Sequence, residues 1–286
     1  MQYRKLGRHD IEVSVLGLGG VVVMNQTQDE ADDEVARAID RGITYFDVAP
    51  SYGDAEQRLG PALAPYRDRV TLACKTTKRT ADEALAELEQ SLRNLRTDHV
   101  DIYQMHALAK PSDTTTALGP GGAIETFLDA KRRGLTRLIG FSAHDEQQAL
   151  IAVESGHFDT VLFPLNIVMF ERGAFGPRLL AAANERGMGA LAIKAMARTA
   201  VPKGEPRPFA NCWYEPEPRP DVAKLLLRYT LNLPGVAATL PPGNPGLYNM
   251  AIDFASGPLP PLTNAEHAQL TEAVAAVEPL FANPTA

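Results

Sequence analysis

Four side chains in the first 106 residues carry complementary chemistry: the carboxylate of Asp47, the phenol of Tyr52, the ammonium of Lys75 and the imidazole of His106. Each closes or follows a short apolar run. The runs are Ile43-Thr44-Tyr45-Phe46-Asp47, Leu72-Ala73-Cys74-Lys75 and Val100-Asp101-Ile102-Tyr103-Gln104-Met105-His106. A free phenol, with a pKa near ~10, is a poor acid at neutral pH. An adjacent ammonium favours the phenolate and lowers that value, and a lowering of roughly two to three pH units takes about 3–4 kcal/mol. Asp47 is expected to hold Lys75 charged, and His106 to hydrogen-bond the oxygen being protonated. The chemistry that results is proton donation by Tyr52 to a carbonyl as a hydride arrives from a cofactor. Taken singly, each residue reads more simply as a solvated or ion-paired group. Four complementary groups at the ends of three consecutive runs point to catalysis.

The elements that must position them alternate along the chain. Met1–Leu6 and Ile11–Leu16 read as a short hairpin across Gly7-Arg8-His9-Asp10. Buried strands are expected at 15–18, 44–47, 70–75, 100–105, 137–142, 160–164, 189–193 and 236–239, each short and apolar. Helices are expected over 30–41, 80–94, 124–133, 147–154, 177–186, 222–231 and 265–277. The second of these carries a Thr80-x-x-Glu83 capping signature, and several end at a glycine. Eight strands alternating with helices, with no composition break, predict an α/β fold: one (β/α)8 TIM barrel spanning 1–286, with the hairpin at 1–16. A doubly wound open sheet is the weaker reading, because Gly17-Leu18-Gly19-Gly20-Val21 lacks the full dinucleotide fingerprint. The proline-rich stretch 199–220 is read as a long loop over the active site.

The chain has 286 residues, 45% of them hydrophobic, and a net charge of −7, which disfavours nucleic-acid or anionic-membrane binding. Two cysteines far apart, Cys74 and Cys212, and no CxxC argue against a cysteine-held metal, so no metal is expected. The start, Met1-Gln2-Tyr3-Arg4-Lys5, has no apolar leader core, and no run is long enough to span a membrane. A cytoplasmic enzyme of small molecules is the expectation. Cys74 should point away from Lys75 into the core. His9, His99, His157 and His267 are expected to face solvent. Leu280-Phe281 reads as packing or as an interface, so no oligomeric state is assigned.

At the four residues the sequence resembles the aldo-keto reductase family. The carrying motifs are Asp47-Val-Ala-Pro-Ser-Tyr52-Gly53 with Glu56 and Leu59-Gly60, and Leu95-Arg-Thr-Asp98-His-Val-Asp101-Ile-Tyr-Gln-Met-His106. Leu6-Gly7, Leu16-Gly17-Leu18-Gly19 and Gly134-Leu-Thr-Arg-Leu-Ile-Gly140-Phe-Ser142 match the family's hairpin, first strand and fifth strand. The resemblance implies a TIM barrel, a nicotinamide dinucleotide, and Asp47, Tyr52, Lys75 and His106 as the catalytic tetrad with Tyr52 as general acid. It implies cofactor contacts at Ser142, His144 and Asn166. Three of the family's contact positions are altered: Ala143 stands for an asparagine, Phe163 for a glutamine and Ile193 for a stacking aromatic. Lys194 follows where a small polar residue is usual.

The resemblance places the adenine end near Leu240-Pro-Pro-Gly243-Asn-Pro-Gly246-Leu-Tyr-Asn249, where Gly243 and Asn249 are candidate contacts. Residues 240–253 contain no Lys or Arg. A 2′-phosphate wants a cation, so NAD is expected over NADP unless Lys194 supplies the charge. Met24, Trp213 and Tyr214 are candidate pocket residues. The substrate expected is a carbonyl or its alcohol. Two other readings follow from the altered contacts: a lyase or isomerase on a sugar-like substrate with the nicotinamide absent or never released, and a non-catalytic nucleotide-binding regulatory subunit.

Overall fold

The computed structural model describes residues 1–283. The chain partitions into two compact units, Leu18–Leu162 and the combination of Met1–Gly17 with Phe163 onward. The dividing points fall inside two strands, β3 (Gly17–Gly19) and β8 (Thr160–Pro164), so each unit is built from a run of neighbouring strands.

The second-named unit begins with the hairpin β1 (Tyr3–Lys5) and β2 (Glu12–Ser14), paired antiparallel with Tyr3 opposite Ser14. Its turn depends on Gly7, at φ +61, where an added Cβ would lie 2.5 Å from Gly187 O. Only a residue without a side chain permits that approach.

The unit Leu18–Leu162 carries β3 (Gly17–Gly19), α1 (Gln28–Asp40), β4 (Tyr45–Asp47), α2 (Ala55–Leu63), β5 (Thr71–Thr76), α3 (Ala81–Leu95), β6 (Val100–Leu108), α4 (Pro111–Leu118), α5 (Ala123–Arg132), β7 (Thr136–Ala143), α6 (Glu146–Glu154) and the start of β8 (Thr160–Pro164). β4, β5, β6, β7 and β8 pair in parallel, each with the next. The register puts Lys75 opposite Gln104, Gln104 opposite Gly140 and Gly140 opposite Thr160. Gly140 is required there, since a Cβ would lie 2.1 Å from Thr160 Oγ1. The strands are buried almost throughout, as parallel strands covered on both faces must be. α3 shows how the helices attach. Ala84, Leu88, Ser91 and Leu95 recur at spacings of four, three and four and form its buried stripe. Each buried leucine contributes about 2 kcal/mol.

The remainder of the other unit carries α7 (Pro177–Glu185), β9 (Gly189–Ile193), β10 (Ala197–Ala200), β11 (Tyr214–Pro216), α8 (Pro220–Leu231), β12 (Val236–Leu240), α9 (Pro245–Ala255) and α10 (Asn264–Ala273). β9 pairs parallel with β12. In the eight-stranded sheet the neighbours follow chain order from β3 to β9 and then β12. Sequential strands alternating with helices make the (β/α)8 class that the sequence predicts.

Four expectations need correcting. The stretch 199–220 is not wholly irregular, because β10 and β11 pair antiparallel at its two ends. Thr80 does not cap α3 through its side chain; its hydroxyl donates to Glu83 at 2.6 Å instead. A working capping box lies two helices earlier, at α1. There Thr27 accepts from Glu30 N, and Glu30 accepts from Thr27 N at 2.8 Å. Three helices, α2, α4 and α9, fall outside the expected helix ranges. Of the histidines, only His157 is exposed, while His9, His99 and His267 are half-buried. His99 pairs with Asp98 at 2.6 Å and His267 with Glu171 at 2.9 Å.

Candidate active site

All four tetrad candidates fall in the unit Leu18–Leu162. β4 ends at Asp47, whose carboxylate is buried. Two residues earlier on the same face, the Tyr45 hydroxyl donates to Asp47 Oδ2 at 3.1 Å. The other oxygen, Oδ1, receives the Lys75 ammonium from β5 in a direct ion pair. Lys75 is itself 1% exposed, and its Nζ also lies 3.4 Å from Val48 O. Burial alone would drive this ammonium toward neutrality. Asp47 and Tyr52 outweigh burial and hold the Lys75 pKa above its ordinary value. Burial pushes the Asp47 carboxyl above its ordinary value, against the opposing pull of Lys75 and Tyr45. The contact is a buried ion pair in which both carboxylate oxygens are hydrogen-bonded.

Tyr52 is half-buried in the loop between β4 and α2. Lys75 hydrogen-bonds its phenol and pulls its pKa down, but burial is the larger influence and Asp47 adds to it. The net shift is upward. This corrects the expectation of a phenol made acidic in the resting protein: desolvation disfavours the phenolate more than one already-paired ammonium favours it. Tyr52 stands loaded with its proton at neutral pH.

His106 lies on β6 with its ring edge-on to that of Tyr52, at 5.7 Å between centroids and 89° between planes. The Ser51 hydroxyl lies 3.3 Å from its Nδ1. The structure thus brings Asp47, Tyr52, Lys75 and His106 into one cluster. It adds Tyr45 and Ser51, which sequence reasoning missed. Tyr45 could have been found from its two-residue spacing to Asp47; Ser51 gave no signal. Met24 lies beside the same loop, 3.5 Å from where a Cβ of Gly53 would stand. Cys74 points away from Lys75, is fully buried, and its thiol donates to Glu56 at 3.5 Å.

The cofactor candidates divide between the units. Ser142, at the end of β7, accepts the Ala107 N–H at 2.8 Å, which leaves its own proton free for donation. His144 follows in the loop, with its backbone N–H on Leu108 O.

In the other unit, the Asn166 amide donates to Lys194 O at 3.2 Å and to Ala197 O at 3.0 Å, and its Oδ1 accepts from Met169 N. Asn166 therefore holds the turn after β9. Lys194 stands in that turn at φ 65, a left-handed conformation. Its Nζ lies 5.9 Å from the Tyr214 ring centroid and 5.6 Å from that of Phe281. Desolvation pulls its pKa down to about 8. Phe281 also stacks on Phe175 at 5.4 Å, and Phe175 on Phe163 at 4.7 Å, so the C-terminal aromatic is a packing residue. Gly243 precedes α9, and its backbone N–H with that of Asn244 faces the Cys212 thiol. Asn244 caps α9 by accepting from Gly246 N and Leu247 N. Asn249 is half-buried in the second turn of α9. Trp213 is exposed, with Arg207 stacked at 5.3 Å from its ring centroid. Among the described residues no group of His, Cys, Asp and Glu could hold a metal, and no helix is long and apolar enough to cross a membrane.

Comparison with known proteins defines the class. Residues 15–219 match the sequence profile of the aldo/keto reductase family. The chain belongs to that family. Its relatives include the aldo-keto reductase YhdN of Bacillus subtilis, 38% identical over 37% of this chain and 38% of that protein. Another is the 6-dehydroglucose reductase of Novosphingobium aromaticivorans, 28% identical over 60% of this chain and 62% of that protein. The matched stretches span 38–62% of the length of these curated relatives. Among solved structures, aldo-keto reductase AKR11C1 from Bacillus halodurans superposes with a TM-score of 0.75 at 21% identity, covering 99% of this chain and 98% of that one. That likeness carries the (β/α)8 barrel fold.

Proposed function

We propose that this protein is an NAD(P)H-dependent oxidoreductase that interconverts a carbonyl and an alcohol, with Tyr52 as general acid. The observation that carries the reading is Lys75, buried and held charged between Asp47 and the Tyr52 phenol. Each unit offers residues with chemistry suited to part of a dinucleotide. Ser142 keeps a donor proton for a carboxamide. The Lys194 ammonium pairs with no carboxylate among the described residues, which suits a ligand carrying phosphate. His144, Gly243 and Asn249 complete the candidate contacts. Asn166 acts through the turn that carries Lys194. The dinucleotide would supply the hydride.

Tyr52 gives its proton to the carbonyl oxygen as that oxygen gains negative charge. An alkoxide is a far stronger base than a phenolate, so a phenol with a raised pKa still transfers its proton downhill. The phenolate left behind is stabilised by the adjacent Lys75 ammonium, which Asp47 fixes in place. His106 donates a hydrogen bond to the same oxygen and sets its direction toward Tyr52. Lys75, almost wholly buried, is held out of water, which strengthens its interaction with the phenolate.

The absence of Lys and Arg from 240–253 favours NAD, and Lys194 serves the phosphates of either dinucleotide. Sugar-derived carbonyls are among the substrates this reading offers, supported by the printed name of one relative, 6-dehydroglucose reductase. Parallel fluorescence titrations with NADH and NADPH, followed by turnover on aldehydes and ketones, test the reading. It requires micromolar binding of at least one dinucleotide and oxidation of it by a carbonyl. Failure of both to bind overturns it, and tighter NADPH binding overturns the NAD preference.

The spent amide of Asn166 and the apolar Phe163 favour one second reading, in which the tetrad enolises or eliminates on a sugar-like substrate without a released nicotinamide. Turnover of such a substrate with no dinucleotide added would select it.

A further inference from the structure

Arg79 lies four residues beyond Lys75 and outside the tetrad. Its Nη2 donates to His106 O at 2.7 Å and to Ala107 O at 3.4 Å. Its Nη1 donates to Thr77 O at 3.2 Å, and its Nε lies 3.7 Å from Asp113 Oδ1. The residue it grips, Ala107, has φ 55. A left-handed conformation is disfavoured for any residue with a Cβ and persists only where the surroundings enforce it.

The enforcement is visible on both sides of the strained residue. Arg79 takes the carbonyls of His106 and Ala107, and Ser142 Oγ takes the Ala107 N–H at 2.8 Å. Just beyond, Asp113 Oδ2 accepts from Ala109 N and Lys110 N, each at 3.1 Å. Asp113 thus fastens the exit of β6 and also sits against Arg79. A planar guanidinium can reach two successive carbonyls and a carboxylate at once; an ammonium cannot reproduce that fork.

We propose that Arg79 is a positioning residue for His106: its fork fixes the left-handed turn at Ala107 and so sets the direction of the imidazole toward Tyr52. The proposal rests on the reading of His106 as the group that orients the carbonyl. A rotation of the 106–107 peptide would swing the ring out of its edge-on contact with Tyr52. Misplacement by about 1 Å can cost on the order of a hundredfold in rate.

The test uses Arg79→Met and Arg79→Lys in the full chain. Steady-state kinetics and dinucleotide affinity are measured alongside the His106 ring resonances in ligand-free protein, assigned with His106→Gln. Arg79→Met should lose roughly ten- to a hundredfold in kcat, keep its dinucleotide Kd and move the His106 resonances. Arg79→Lys should recover only a small part. A folded Arg79→Met with kcat within about twofold of the parent and unmoved His106 resonances overturns the proposal. If Arg79→Met does not fold, Arg79→Gln is read in the same way. Full turnover by His106→Gln would remove the carbonyl-orienting role of His106, and the resonance shift would still decide whether Arg79 fixes the ring.

Discussion

The Lys75 ammonium lies 5.4 Å from the centroid of the Tyr52 ring and hydrogen-bonds its phenol, while its Asp47 partner is buried beside it. One buried cation therefore serves two acidic groups. Removing it does two kinds of harm. Lys75→Met leaves Asp47 as a buried carboxylate without a counterion and should destabilise the fold by about 3–5 kcal/mol. Chemical denaturation measures the loss. A loss under about 1 kcal/mol would show that the pair contributes little to the native state.

Gly140→Ala places a Cβ 2.1 Å from Thr160 Oγ1. One of the two strands must shift, at a cost of about 1–3 kcal/mol. Pairing it with Thr160→Ala removes the clashing hydroxyl and should recover part of the loss, although Thr160 O at 2.9 Å still crowds the site. Additive losses in the double variant would show that the conflict lies elsewhere.

Thr27 and Thr80 have the same sequence signature but different bonding. Thr27 caps α1 through its side chain, whereas Thr80 spends its hydroxyl on Glu83. Thr27→Ala should cost about 1 kcal/mol and Thr80→Ala distinctly less. Equal losses in thermal unfolding would contradict the assignment.

Folding lowers the Lys194 pKa from an ordinary 10.5 to about 8. Between those pH values the unfolded chain holds a proton that the folded chain has released. Stability from this group therefore rises with pH through that window, and below it the folded protein bears the full desolvation cost. Lys194→Met should raise the Tm most at neutral pH, with the gain fading as pH approaches 10.5. A gain that is constant with pH would mean Lys194 is not desolvated.

Much of this was legible in the sequence because buried parallel strands are short, apolar and punctuated by glycine. Thr160–Pro164 and Gly189–Ile193 were bounded to the residue. Other features were not legible, for physical reasons. α2 carries Pro61 within its nine residues, and an internal proline reads as a helix end. Arg79 acts on backbone carbonyls 27 and 28 residues away, which no spacing rule marks. The chemistry of Asp47, Tyr52, Lys75 and His106 was readable from residue type and position. The direction of the Tyr52 shift was not, because it depends on how much water the fold removes, and desolvation outweighed the neighbouring ammonium.

Single-turnover reduction of a carbonyl by Tyr52→Phe loaded with its preferred dinucleotide is the most direct test of the proton donor. The variant keeps the ring and loses only the hydroxyl that carries the transferable proton. The account predicts unchanged dinucleotide Kd and hydride transfer slowed roughly a hundred- to ten-thousandfold. Hydride transfer at the parent rate would contradict it.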